Sequence, residues 1–442
     1  MTSDAVPRRR PRTWLLVVGA VVALIGVHAL WDYLEARRIM SAIAAVARAG
    51  GSINLDRIEP HLLPGAYETA GPYYVAAATL AAAGRPLPLI AVAKTPTFSG
   101  VRGPHEIQAW YTTRDIPSAT LEQTRLELER RADALHVLDM ASARPFEGFS
   151  SELPYWQVYA FEGLHRLCGV RTAYAAATGD RELAIRSLRA ELGLFSIDIG
   201  LTNAWPSRRL LLSTIELSLM LNDDGLSVGD LETLADAFAR MDDDTELWRS
   251  LDTQRASYIA TFLRNAAYER VPYGVPKFVV GFSEASVFLR PLSAHRLQRR
   301  LDVYDELTDA SRLPWPERLD QLRAVAIRRG WHDDGGLLVT RGWSNDPWGF
   351  IAQPLDLASV RVARTAIAIE RYRRANQDAL PATVDALVPA YLPSIPIDPY
   401  SGQPIHYDHL ADGYQVYSVS FDRKDDGGDL MKDLPVIRVT RR

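Results

Sequence analysis

The stretch YQVYSVSFDRKDDGGDL, residues 414–430, contains the change of pattern that decides the C-terminal fold. Its first half alternates side chains with the period of two of a β-strand and is rich in Tyr and Val, which pack well on a pleated surface. Its second half carries four aspartates and two glycines. That composition suits either a polar turn or a cage of oxygens around a cation. Two more short strands are expected nearby, in PIHYD (404–408) and PVIRVT (435–440). A helix from about Leu357 to Asn376 opens the same unit, and a proline-punctuated segment joins it to the strands.

Upstream, the pattern is helical from Thr120 to about residue 330. Thr120 with Gln123 reads as a capping box, and Leu121, Leu128, Ala132, Leu135 and Leu138 read as one helical face. Gly179-Asp180 ends one helix, and Asp180 can cap the next, whose Ala184, Leu188 and Leu192 share a stripe. Leu231, Leu234, Phe238 and Met241 repeat the spacing of three and four. The turn in AATGDRELAIRSLRAEL (176–192) resembles that of tetratricopeptide-like arrays, yet no consensus recurs at a fixed period, so an irregular α-helical array or bundle is expected over 119–350. Residues 330–354, rich in Gly and Trp, separate it from the final unit, 355–442. Residues 32–118 form a mixed juxtamembrane region: a helix to Gly50-Gly51, an Ala-rich helix near 72–84 and a strand-like PLIAVA.

WLLVVGAVVALIGVHALW (14–31) is apolar apart from His28, and as a helix it spans roughly 27 Å, close to the hydrocarbon thickness of a bilayer. Arg8, Arg9, Arg10 and Arg12 precede it. The positive-inside rule then makes 1–12 a cytoplasmic tail, 13–31 a transmembrane anchor, and the rest of the chain periplasmic at a bacterial inner membrane. Trp31 and Tyr33 would stand at the outer interface. The competing reading is a cleaved signal peptide, with Val27-His28-Ala29 as the cleavage site.

A net charge of -4 and a pI near 6.2 leave no basic field for a phosphate backbone, so nucleic-acid binding is not expected. The single cysteine, Cys168, rules out an intrachain disulfide framework and a cysteine zinc site. Glu162 and His165 form a Glu-x-x-His pair, but the second pair that a di-iron bundle needs is missing from the sequence. Cys168, on the same apolar helix, reads as a buried inert thiol. His332, Asp333 and Asp334 beside Gly335-Gly336 read as a polar loop. Nucleophile-elbow, phosphate-loop, dinucleotide and zincin signatures are all missing from the sequence.

In the acidic loop, Asp422, Asp425, Asp426, Asp429 and Asp433 stand against Arg423, Lys424 and Lys432, a local charge of -2. An EF-hand register from Asp422 fails: position three is Lys424, position twelve is Asp433 rather than Glu, and both flanks read as strand.

A different template fits. The segment from Ala366 to Leu430 resembles the globular part of the major pseudopilin of type II secretion systems, on its opening helix, Asp398-Pro399-Tyr400, Tyr417-Ser418-Val419 and the acidic loop from Asp422. The resemblance covers about the last 80 residues. It implies a small α+β unit and bound calcium, with carboxylates from Asp422 and Asp429 and a backbone carbonyl from Val419. Asp425 and Asp426 are alternative ligands. Ser420-Phe421 stands where the family has Gly-Ala, and Arg423 where it has glycine. No pseudopilin peptidase site precedes Trp14. From 120 to 442 the chain is also similar to uncharacterised membrane-anchored bacterial envelope proteins. The expected role is binding or assembly with envelope proteins, related to type II secretion or pili; the alternative is a periplasmic hydrolase with an unrecognised carboxylate site.

Overall fold

A computed structural model describes residues 13–51, 71–82, 118–142, 144, 155–198, 206–222, 225–244, 251–252, 255–256, 258–259, 262–263, 290–329, 353–430 and 432–441. It is mainly helical and carries a small antiparallel sheet near its C-terminus. Contacts divide it into two units, Met1–Leu55 with Gln254–Asp305, and Asp56–Thr253 with Glu306–Arg442.

In the first unit, α1 runs unbroken from Thr13 to Arg48. At 1.5 Å per residue its 36 residues reach roughly 54 Å, well beyond a hydrocarbon core. The two halves of α1 differ. From Trp14 to Leu34 nearly every side chain is exposed, including Leu16 at 76% and Leu24 at 69%. Beyond Glu35 a stripe of Ile39, Ile43 and Val46 is buried against Ile259, Ala294, Leu297 and Leu301. Among the described residues α1 is the one helix long and apolar enough to cross a membrane, as an anchor or a signal sequence. It ends as its glycines dictate: Gly50 takes a φ of 80°, its N–H donates to the Ala47 carbonyl, and that of Gly51 to the Val46 carbonyl.

The second unit contains α2 (Gly71–Ala82), α3 (Ser118–Arg130), α4 (Ala132–Ser142), α5 (Tyr155–Thr178), α6 (Arg181–Asp198), α7 (Pro206–Leu221), α8 (Val228–Ala239), α10 (Glu317–Arg328) and α11 (Gln353–Ala375). A further helix, α9 (Arg290–Ser311), contributes to the first unit through Asp305. The Gly179 stop is present: Gly179 has a φ of 74°, and the Asp180 N–H donates to the Ala175 carbonyl. Asp180 then caps α6 by accepting from the Leu183 N–H at 3.1 Å.

Two sequence expectations need correction. Thr120 is not a cap, because α3 begins two residues earlier at Ser118 and takes Thr120 into its first turn. The apolar face through Leu128 to Leu138 is also not continuous. The chain breaks helix at Arg131 before α4, which resets the phase; Ala132 is exposed and Ala134 is buried in its place. A capping box does occur at α8, where Ser227 Oγ accepts from the Asp230 N–H and the Asp230 carboxylate accepts from the Ser227 N–H.

The sheet is a meander of β1 (His406–Leu410), β2 (Gly413–Tyr417) and β3 (Val436–Thr440), all antiparallel. Register pairs His406 with Tyr417 and Tyr417 with Val436. Its apolar face, with Tyr414, Val416, Ile437 and Val439, packs on α11. That helix is buried almost all round: Val360, Val362, Ala363, Ala366, Ile367 and Ile369 share one core with the sheet and with Leu217, Leu221, Leu234 and Phe238 of α7 and α8. Each fully buried Val or Ile contributes about 2 kcal/mol relative to exposure. The helical array and the C-terminal sheet therefore share one hydrophobic core.

Candidate functional site

Two buried aspartates build the acidic loop. Asp398, in the Asp-Pro-Tyr turn, is 0% exposed. Its carboxylate accepts from the Tyr400 N–H at 2.9 Å, the Ser418 hydroxyl at 3.0 Å and the Val419 N–H at 3.0 Å. One side chain thus ties the turn to the end of β2. Burial pushes the Asp398 carboxyl up, against the pull of the backbone donors. Tyr400, fully buried, packs on Phe421 with ring centroids 5.1 Å apart.

Asp433 does the same at the other end. Its Oδ2 accepts from the N–H groups of Asp426 at 3.0 Å, Gly428 at 2.9 Å and Asp429 at 3.2 Å, which closes the loop around an internal carboxylate. Asp433 too is fully buried, and burial raises its pKa against those three donors. The loop's carbonyls are also engaged: that of Gly427 accepts from Gln415 Nε2 at 2.8 Å and that of Gly428 from Arg438 at 3.1 Å. Gly428 has a φ of 72°, and a Cβ there would come within 2.7 Å of the Gln415 amide, so glycine is required. Ser420 (φ 59°) and Arg423 (φ 58°) also take left-handed backbone. Arg423 is held there by a two-pronged ion pair with Asp320 of α10.

The residues named as cation ligands lie on this frame. Asp425 Oδ1 accepts from the Tyr417 hydroxyl at 2.8 Å and the Gly427 N–H at 2.9 Å, and the Gly427 donor holds its carboxyl below the usual range. Asp426 pairs with the Lys432 ammonium at 2.9 Å. Asp422 Oδ1 accepts from the Lys424 N–H, and Asp429 is exposed at the loop surface. Lys432 feels Asp426, Asp429 and Asp422 together, and that field raises its pKa. Its ammonium is a tethered cation among three of the named carboxylates. Among the described residues no three of His, Cys, Asp and Glu are grouped as metal ligands. The two-carboxylate set of Asp422 and Asp429 with the Val419 carbonyl is of the hard-oxygen type that calcium takes. Sequence reasoning missed Asp398 and Asp433 as organisers; the available signal was that each adjoins proline-bearing apolar sequence, where burial is expected.

Other sequence candidates fall elsewhere. His165 and Cys168 are buried on α5, and burial drives the Cys168 thiol well up, as an inert thiol requires. The Glu162 side chain and His332, Asp333 and Asp334 lie outside what is described. An open cleft of about 400 Å³ on α6 is lined by Arg181, Glu182, Ile185, Arg186, Arg189 and Asp230. Glu182 pairs there with Arg186, and Asp230 belongs to the capping box.

No protein-family model matches the chain, and no curated protein or solved structure matches it.

Proposed function

We propose that the protein is a single-anchored bacterial inner-membrane protein that binds or assembles with envelope proteins related to type II secretion or pili. The observation that carries this reading is the build of the C-terminal segment. There a helix lies on an antiparallel meander, an Asp-Pro-Tyr turn is tied to the strand end through Asp398, and an acidic loop closes the unit. Ser420 and Arg423 stand at two positions where pseudopilins have glycine, and both take the left-handed backbone that glycine favours. That backbone supports reading the turn as the one the resemblance implies.

The anchor is read as retained. α1 continues unbroken through Val27–Ala29 to Arg48, so the candidate cleavage site lies inside a continuous helix and the apolar run extends past it through Leu30 and Trp31. With the arginine-rich tail cytoplasmic, the bulk of the chain is periplasmic. Calcium belongs to the same reading, with Asp422, Asp429 and the Val419 carbonyl as its ligands and Lys432 as the cation it displaces.

Crosslinking and capture of the full-length protein from native membranes tests the proposal. Secretion or pilus components of the inner membrane are expected among the captured proteins. Their consistent absence from replicate captures would overturn it.

A further inference from the structure

Glu191 of α6 and Glu216 of α7 meet in the interior of the helical unit, each 3% exposed. Their carboxyl groups lie within hydrogen-bonding reach of each other. A carboxyl–carboxyl hydrogen bond requires a proton, since two carboxylates side by side in a low-dielectric interior cannot both be ionised. We propose that Glu191 and Glu216 form a proton-sharing site whose occupancy controls how firmly α7 holds the C-terminal sheet.

The described groups that face Glu216 are largely neutral. Gly169 and Thr172 of α5 face Glu216, on a stripe that continues at spacings of three and four through Cys168 and His165. Gly169 makes room for the carboxyl, since a Cβ there would stand 3.3 Å from Glu216 Oε1. Thr172 contributes one hydroxyl, shared between Glu216 and the Cys168 carbonyl. Glu216 Oε2 is buried without a hydrogen-bond partner. Among the described cations, Arg171 of α5 is already gripped by Asp139 of α4 at 2.6 and 3.1 Å. Toward α11 the contact is neutral, from the Thr214 hydroxyl to the Ser359 carbonyl. Toward β3 it is also neutral, from Ser218 and Asn222 to the Arg438 carbonyl. Burial, followed by the Glu191 charge, accordingly drives the Glu216 carboxyl well above its ordinary range.

Those neutral contacts connect the pair to the rest of the fold. Asn222, which directly follows the helix that carries Glu216, receives the Thr440 N–H and bonds the Arg438 carbonyl, so the end of that helix docks the last strand. The folded state keeps a proton that the unfolded chain sheds near pH 4.3. Stability from this site is complete below that pH and is lost as pH rises toward the elevated folded value, by up to tenfold in the folding constant per pH unit. Acid tightens the latch and alkali loosens it.

Thermal unfolding of the detergent-solubilised full chain from pH 5 to 9 tests this, comparing the parent with Glu216→Gln and Glu191→Gln. Glutamine copies the shape of a protonated carboxyl and cannot ionise. The parent Tm is expected to fall with pH more steeply than either variant, and at pH 9 the variants are expected to be the more stable. At the same pH 9, amide exchange at Thr440 should be faster in the parent than in Glu216→Gln. Parallel pH profiles would overturn the proposal. So would failure of both glutamine variants to fold, because a proton-sharing pair tolerates its neutral isostere.

Discussion

Asp398 and Asp433 in the C-terminal loop are as deeply buried as Glu191 and Glu216 in the helical body, yet the two pairs meet burial by different means. Each loop aspartate collects backbone N–H donors, two for Asp398 and three for Asp433. Glu216 is reached by side chains, those of Glu191 and Thr172. The difference is one of backbone supply. Turn residues have N–H groups to spare, whereas residues within a helix have already given theirs to the carbonyls four positions back. A carboxylate placed in a turn can be solvated by the main chain. One placed between helices depends on neighbouring side chains, and two that meet there share a proton.

The strongest way to break this contrast is to remove a loop aspartate. Asp433→Ala deprives three loop N–H groups, one of them the buried Gly428 N–H, of their acceptor and is expected to cost about 3 kcal/mol, with Asp433→Asn milder because it keeps one carbonyl oxygen. Urea unfolding of the solubilised chain measures it. A loss below about 1 kcal/mol would mean that water or another acceptor replaces Asp433, and the contrast would fall.

A smaller effect concerns the loop's own cation. If Lys432 fills the position among Asp422, Asp426 and Asp429, then Lys432→Met should make the loop more responsive to calcium. The variant's Tm is expected to rise by about 1 °C when calcium equals its Kd, with a smaller rise in the parent. No shift in either protein would remove calcium from the proposed function, and equal shifts in both would remove Lys432 as the cation that calcium displaces.

The smallest effect sharpens the comparison through its sign. The Gly427 N–H holds Asp425 below the usual carboxylate range, so its contribution is present above about pH 4 and is lost as pH falls through the depressed value. This is the reverse of the slope expected for Glu216. Asp425→Asn should remove an acid-side loss of only about 0.3 kcal/mol, because the group is half exposed and screened. Melting curves between pH 3 and 6 that coincide for variant and parent would refute the assignment.

Much of this was legible locally. The strands lie within about three residues of where alternation put them, and α11 spans Gln353–Ala375 against an expected Leu357–Asn376. Gly50 and Gly179 end helices for the reason that their sequence context suggests, since each adopts positive φ. The Thr120 cap failed because a capping pattern was present two residues inside a helix that had already begun. In the candidate site, the acidic residues were evident from composition. Their separate roles were not, since what each aspartate does depends also on groups outside the loop, such as Tyr417, whose hydroxyl donates to Asp425.

By itself the sequence determined the long apolar N-terminal helix, the helical periodicity of the middle and the alternation of the strands, because these patterns depend on neighbours a few residues apart. Tertiary structure alone decided that α11 and the sheet join the core of α7 and α8, that Asn222 meets the backbone of Arg438 across 216 positions, and that Glu191 and Glu216 come together. Burial and hydrogen bonding are set by which distant segments meet, and the charge state of a carboxyl follows from that meeting.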